Sequence, residues 1–238
     1  YSAYGIKANN KTTIVVDSNK TNPGKNGTIT IKAKTLWSPS GDSGSKYTAA
    51  HGIAVGNFSQ RFNKKVSEDL VKTTINADVV IEELRGGSIK TTGISSMDCS
   101  DLAINGRFTI KPGAISLMQW NRGDQSKTYG IYMIGSNNTI SITSADIDDS
   151  KNGSLSDLIK TDESLWGGKT EKNVLRIGGG TLKVKENQKE RYLISAAKGF
   201  RTFINVNQDG SAIGTSKADL QGTIRMDAGS EAYVGLTA

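Results

Sequence analysis

Thr181-Leu182-Lys183-Val184, Thr202-Phe203-Ile204-Asn205 and Thr223-Ile224-Arg225-Met226 decide how this chain is read. Their threonines fall 21 residues apart. Three short β-type segments in equal phase imply stacked copies of one unit, because a fixed period of this length is the signature of repeat architectures. Within the first segment Leu182 faces in, Lys183 out and Val184 in, the two-residue period of a strand. Related pieces occur at Gly27-Thr28-Ile29-Thr30-Ile31 and Asn138-Thr139-Ile140-Ser141-Ile142, with looser versions at Gly106-Arg107-Phe108-Thr109-Ile110 and Gly87-Ser88-Ile89.

A second element recurs as Tyr4-Gly5-Ile6, His51-Gly52-Ile53 and Tyr129-Gly130-Ile131, a second strand in each unit. After the last of these, Gly135-Ser136-Asn137-Asn138 separates two apolar-rich strands. Such turn residues accept the backbone angles that other side chains resist. One unit buries too few side chains to stand alone, whereas stacking pairs each backbone donor and acceptor with the next layer. The expected fold is all-β, a right-handed parallel β-helix (solenoid) of about 21 residues per coil with protruding loops. A β-sandwich is the alternative, since its strands also alternate with turns every 8–12 residues or so.

Composition agrees with many strands and turns. Hydrophobic residues are 35% of the 238, with 27 Gly and 3 Pro, and windows with apolar residues at helical spacing are nearly absent. The chain starts without Met and ends within a strand-like pattern. Residues 1–238 are therefore expected to form a single segment of a longer chain, with loop excursions at 38–47, 57–72 and 148–172. Inside the last of these, residues 156–166 are expected to make a short helical turn on Leu155, Leu158, Ile159 and Leu165. The single Cys99 excludes an intrachain disulfide and a four-cysteine zinc site. No apolar run approaches the ~20 residues that cross a bilayer, so no membrane insertion is expected within this segment. Thirty Lys and Arg against 23 Asp and Glu leave +7, which brings anionic polymers in as partners although the charge is diffuse.

The chemistry-bearing residues are few. Ala50-His51-Gly52-Ile53 is similar to the Gly-His-Gly-Ile segment of polygalacturonases, themselves parallel β-helices; that family's Asp pair and Arg-Ile-Lys segment have Asp148-Asp149 and Arg176-Ile177-Gly178 as nearest counterparts. The order fails, because the Asp pair there precedes the His segment and here follows it by several coils. Inverting hydrolysis needs its two carboxyl groups within about 6.5–9.5 Å. Asp146, Asp148 and Asp149 could ligate calcium, although Asp-Asp-Ser-Lys-Asn-Gly is ordinary turn chemistry. Gly178-Gly179-Gly180 reads as a tight corner between Ile177 and Leu182. Trp37, Trp120 and Trp166 sit beside turn residues, and with Arg122 they are the candidate ligand contacts. Packing at the core or coil ends is the plainer role for the indoles. No catalytic, metal or cofactor site is expected.

The Tyr-Gly-Ile … Asn-Asn-Thr-Ile-x-Ile pattern resembles the passenger repeats of large bacterial autotransporter and filamentous-haemagglutinin-like adhesins. The resemblance implies export through the outer membrane and display on the bacterial cell surface or secretion. It further implies non-catalytic attachment to host glycans or glycoproteins, extracellular matrix or other bacterial cells, or self-association in biofilm. Two other classes compete: a pectate-lyase-like polysaccharide lyase or hydrolase, which needs converging carboxylates, and a phage tailspike segment, which needs an intertwined trimerisation region.

Overall fold

Glycine followed by an aliphatic residue marks one sheet, and strict apolar–polar alternation marks the other. Both are seen in a computed structural model of the chain, which describes residues 2–9, 13–17, 27–35, 49–56, 69–86, 90–117, 127–163, 172–185, 191–207, 209, 211 and 218–235. Among the described residues there are nineteen strands, numbered in chain order, and no helix. The protein is all-β, and every strand pairing in its two sheets is parallel. That departs from the sandwich alternative, whose sheets are antiparallel.

The first sheet has seven strands in the order β1 (Ser2–Ala8), β4 (Ala49–Gly56), β7 (Lys90–Met97), β10 (Lys127–Ile134), β12 (Asp157–Asp162), β15 (Tyr192–Ala196) and β18 (Ile224–Met226). The second is built on β2 (Thr13–Asp17), β5 (Val71–Asn76), β8 (Ser100–Ile110), β11 (Asn138–Asp148), β13 (Asn173–Ile177), β16 (Phe200–Ile204) and β19 (Glu231–Val234). Along its side run β3 (Thr28–Lys34), β6 (Asp78–Gly86), β9 (Ile115–Leu117), β14 (Gly180–Lys183) and β17 (Ala218–Gln221). The long strands β8 and β11 serve both parts: β11 pairs β13 through Thr139–Ile142 and β14 through Ala145–Asp148. In chain order a first-sheet strand is followed by second-sheet strands, again and again.

Register aligns identical residues. Ile6, Ile53, Ile94, Ile131, Ile159, Ile194 and Ile224 are direct neighbours across all seven strands of the first sheet. In the second, Ile75, Ile104, Ile142, Ile177 and Ile204 do the same. All but Ile224, which is 38% exposed on the end strand, belong to or pack against one continuous core, and each fully buried isoleucine contributes about 1.5–3 kcal/mol. β-branched residues suit this pleated, packed environment.

The 21-residue period is not the distance between layers. Thr181 pairs with Asp146 and Asp219, Thr202 pairs with Leu175 and Ala232, and the Thr223 carbonyl accepts from the Leu193 amide. The three threonines therefore lie in three separate ladders. Hydrogen-bonded neighbours are instead 28 residues apart at Thr128/Ser156, 35 at Asn138/Asn173, 38 at Ser100/Asn138 and 41 at His51/Thr92. Segment lengths are unequal because pairing fixes the strands and leaves the connections free.

Two expected excursions are also corrected. Val71 and Lys72 of the 57–72 excursion belong to β5, and the middle of the 148–172 excursion is β12, paired with β10 and β15. Residues 157–162 are thus a strand and not a helical turn; Leu158 and Ile159 are both fully buried in the main core. Leu165 and the whole of 38–47 lie outside the described residues.

The expected corners hold. Gly135 and Asn137 take φ of 89° and 58° between β10 and β11, and Gly180 takes 114° at the entry to β14. Such angles favour glycine and, next, asparagine. Behind the first corner Ser100 Oγ donates to Asn138 Oδ1 (2.8 Å), and Asn138 Nδ2 donates to Asn173 Oδ1 (2.9 Å) and to the Ile134 carbonyl (2.9 Å). Asn173 Nδ2 continues to the Gly135 carbonyl (2.7 Å). Buried amides satisfied in this way hold the corner without unpaired polar groups.

Candidate functional site

The Gly-Ile motif shapes the outward face of the first sheet. A side chain on Gly130 would point toward Ile147 in the core and stop 2.7 Å from the Leu158 carbonyl; Gly52 and Gly93 are closed off by the carbonyl of the next strand at 2.6 Å. Only glycine fits that approach. Since the following isoleucine also faces the core, the residues on either side of the Gly-Ile pair both face outward. Tyr129 and Tyr132 consequently stack, with ring centroids 5.2 Å apart and planes at 12°. They make a small cluster separate from the main core. At the first strand the same arrangement sets Lys7 Nζ over the Tyr4 ring at 4.4 Å.

Two outward columns result. One runs Tyr4, His51, Thr92, Tyr129, Asp157, Tyr192; the other runs Lys7, Ala54, Ser95, Tyr132, Lys160, Ser195, Arg225. Across the centre of this face Ala54, Ser95 and Tyr132 are buried. Lys90, Lys160 and Asp162 rise at its rim with side-chain exposures of 29%, 24% and 33%.

A polar cluster joins them. Lys90 Nζ lies 4.1 Å from the Tyr132 ring centroid and donates to its hydroxyl (2.6 Å), which donates in turn to Asp162 Oδ2 (2.9 Å). Lys160 Nζ stands 3.1 Å from the other Asp162 oxygen and donates to Ser195 Oγ (3.2 Å). One carboxylate is shared by two ammonium groups. Burial, with Asp162 and Asp157 nearby, holds the Tyr129 hydroxyl protonated far above the ordinary phenol range. Burial also raises the Asp157 carboxyl, an effect partly offset by the Tyr192 amide that it accepts.

His51, the one histidine of the chain, stacks on Tyr4 and shares a 2.6 Å hydrogen bond between Nδ1 and Thr92 Oγ1. Asp148 lies in the other sheet, where its carboxylate accepts from the Ser150 amide. Asp149 accepts from Ser154 and from the Leu155 amide (2.8 Å), and Asp146 from the Thr181 amide with Arg107 alongside. The hydrolase-like segments are not brought into one site, and the three aspartates are engaged in turns and cross-strand contacts. Among the described residues no group of three or more His, Cys, Asp or Glu is placed to hold a metal ion. Nor is any helix there long and apolar enough to cross a membrane.

The second sheet's outer surface is of another kind. Glu82 sits between Lys32 and Lys111, whose contacts lower its carboxyl to about 2, Lys111 contributing most. Lys34 pairs with Glu83, Lys183 with Asp219 and Arg201 with Glu231. Each of these pairs is exposed and worth little by itself.

Trp37, Trp120, Arg122 and Trp166 lie outside the described residues. The rim formed by Lys90, Lys160, Asp162 and Arg225 was missed in the sequence, where Tyr129 and Tyr132 flanking Gly130-Ile131 were its visible trace. No family model, curated protein or solved structure matches the chain.

Proposed function

We propose that the chain winds as a right-handed parallel β-helix and is a non-catalytic segment of a bacterial surface adhesin. In this reading it is exported through the outer membrane and attaches cells to host glycoproteins, matrix or other bacteria, or cells to one another in biofilm. The observation that carries it is the all-parallel pairing of both sheets with a column of isoleucines in register in each, an arrangement that suits a stacked shaft. Right-handed winding follows from the strong handedness preference of parallel β-connections. The engaged aspartates, and a histidine bonded to threonine, support binding over acid–base chemistry.

Attachment is the test. Beads coated with the chain are expected to hold to epithelial cells, matrix proteins or bacteria above uncoated beads. Release of reducing ends or unsaturated products from a polysaccharide, with no attachment, would overturn the reading in favour of a lyase or hydrolase.

A further inference from the structure

The two sheets differ in charge. Strands of the first carry Lys7, Lys90, Lys127, Lys160 and Arg225 against only Asp157 and Asp162. Strands of the second carry eight cations and nine carboxylates. The surplus of positive charge in the ladders is thus confined to one face, where Lys7, Lys90 and Arg225 each lie over a tyrosine ring, Arg225 at 5.8 Å from Tyr192. A ring beneath a cation fixes its position at a smaller desolvation cost than a full counter-charge would impose. Lys7 and Arg225 remain able to meet an anion, whereas Lys90 already shares the Asp162 carboxylate with Lys160.

We propose that the outward face of β7, β10, β12, β15 and β18 binds a linear polysaccharide bearing carboxylates, a polyuronate, through Lys160, Arg225 and Lys90. This rests on the adhesin reading and names the class of its ligand. Lys160 and Arg225 are two strands apart in one column, about 10 Å at strand spacing, so a polymer lying along the stack meets cations at intervals. Asp162 sets the limit: by neutralising one of two lysines it leaves a modest excess that suits spaced carboxylates. Nucleic acid is a poorer fit, since non-specific binding draws on many phosphate contacts, on the order of 6–10, and these five strands carry four cations, Lys90, Lys127, Lys160 and Arg225.

The experiment measures the dissociation constant of the full chain for polygalacturonate oligomers, neutral dextran and a short DNA duplex, at about 50 and 200 mM salt. Polygalacturonate is expected to bind tightest and to weaken as salt rises. Lys160→Gln with Arg225→Gln should weaken it at least tenfold, Lys160→Arg should restore most of the loss, and Lys34→Gln with Lys183→Gln on the second sheet should change it less than twofold. Equal losses from both double variants, DNA binding as tight as polygalacturonate, or no binding by the unmodified chain overturns the site. If the coated beads still attach to cells in that last case, the adhesin reading survives and only its acidic ligand falls; polygalacturonate binding without attachment does the reverse.

Discussion

Strand β4 is buried along its whole length, and so is the centre of β7, whereas β8 alternates between buried and partly exposed residues almost without exception. Both are parallel strands in the same stack, one covered on two faces and the other on one. Strands covered on both faces lose the alternation that makes a strand easy to recognise. The difference is energetic too, for a polar or small residue facing outward has water beside it in β8 and packed atoms beside it in β4 and the centre of β7.

The largest effect should come from the same change made on both sheets. Ser95 and Ser141 are serines in central strands, the first 2% exposed and the second half-buried. Ser95→Arg should cost several kcal/mol or prevent folding, because it buries an unpaired charge, whereas Ser141→Arg should stay within about 0.5 kcal/mol. Chemical denaturation of both variants decides it, and equal costs would break the comparison. Next, Gly93→Ala places a methyl group 2.6 Å from the Gly130 carbonyl and should lower stability by about 1–3 kcal/mol, read from the same curves.

Acid should act on the two sheets in opposite directions. Asp157 has a raised pKa, so the folded chain binds its proton more readily than the unfolded one. Its contribution is most favourable below the ordinary aspartate value of 3.8 and is lost as pH rises through the higher folded value. Glu82, lowered from 4.5 to about 2, contributes above 4.5 and loses that contribution as pH falls toward 2. Melting curves across this range should therefore show Asp157→Asn flattening a decline toward neutral pH and Glu82→Gln flattening a decline toward acid. Matching slopes for the two variants would contradict the assignment. The smallest effect belongs to Thr202, fully inward with no hydrogen-bond partner for its hydroxyl; Thr202→Val should stabilise by about 1 kcal/mol, measured as a shift in the denaturation midpoint.

The all-β character and the Tyr-Gly-Ile strands were legible because glycine and isoleucine recur wherever backbone and core demand them. Thr92-Gly93-Ile94 belongs to the same set and went unnoticed, since Thr stands where Tyr or His does elsewhere. The 21-residue phase misled for a physical reason: strands of every ladder obey the same alternation, so equal spacing arose between segments that do not pair with one another. Asp157–Asp162 resembled a helix because Leu158 and Ile159 are adjacent and both buried; here both face the core beside the Gly130-Ile131 pair of the neighbouring strand. The polar rim was hidden for a different reason. Lys90, Lys160 and Asp162 are far apart in sequence and meet only through cross-strand register.

The corner behind β10 has one more consequence. Ser100, Asn138 and Asn173 tie β8, β11 and β13 together where each of these strands begins, so their register is fixed there whatever the intervening segment does. Insertions or losses between corners then alter what the surface displays without displacing the strands on either side. A chain built this way can renew its exterior piecemeal while its interior stays in step.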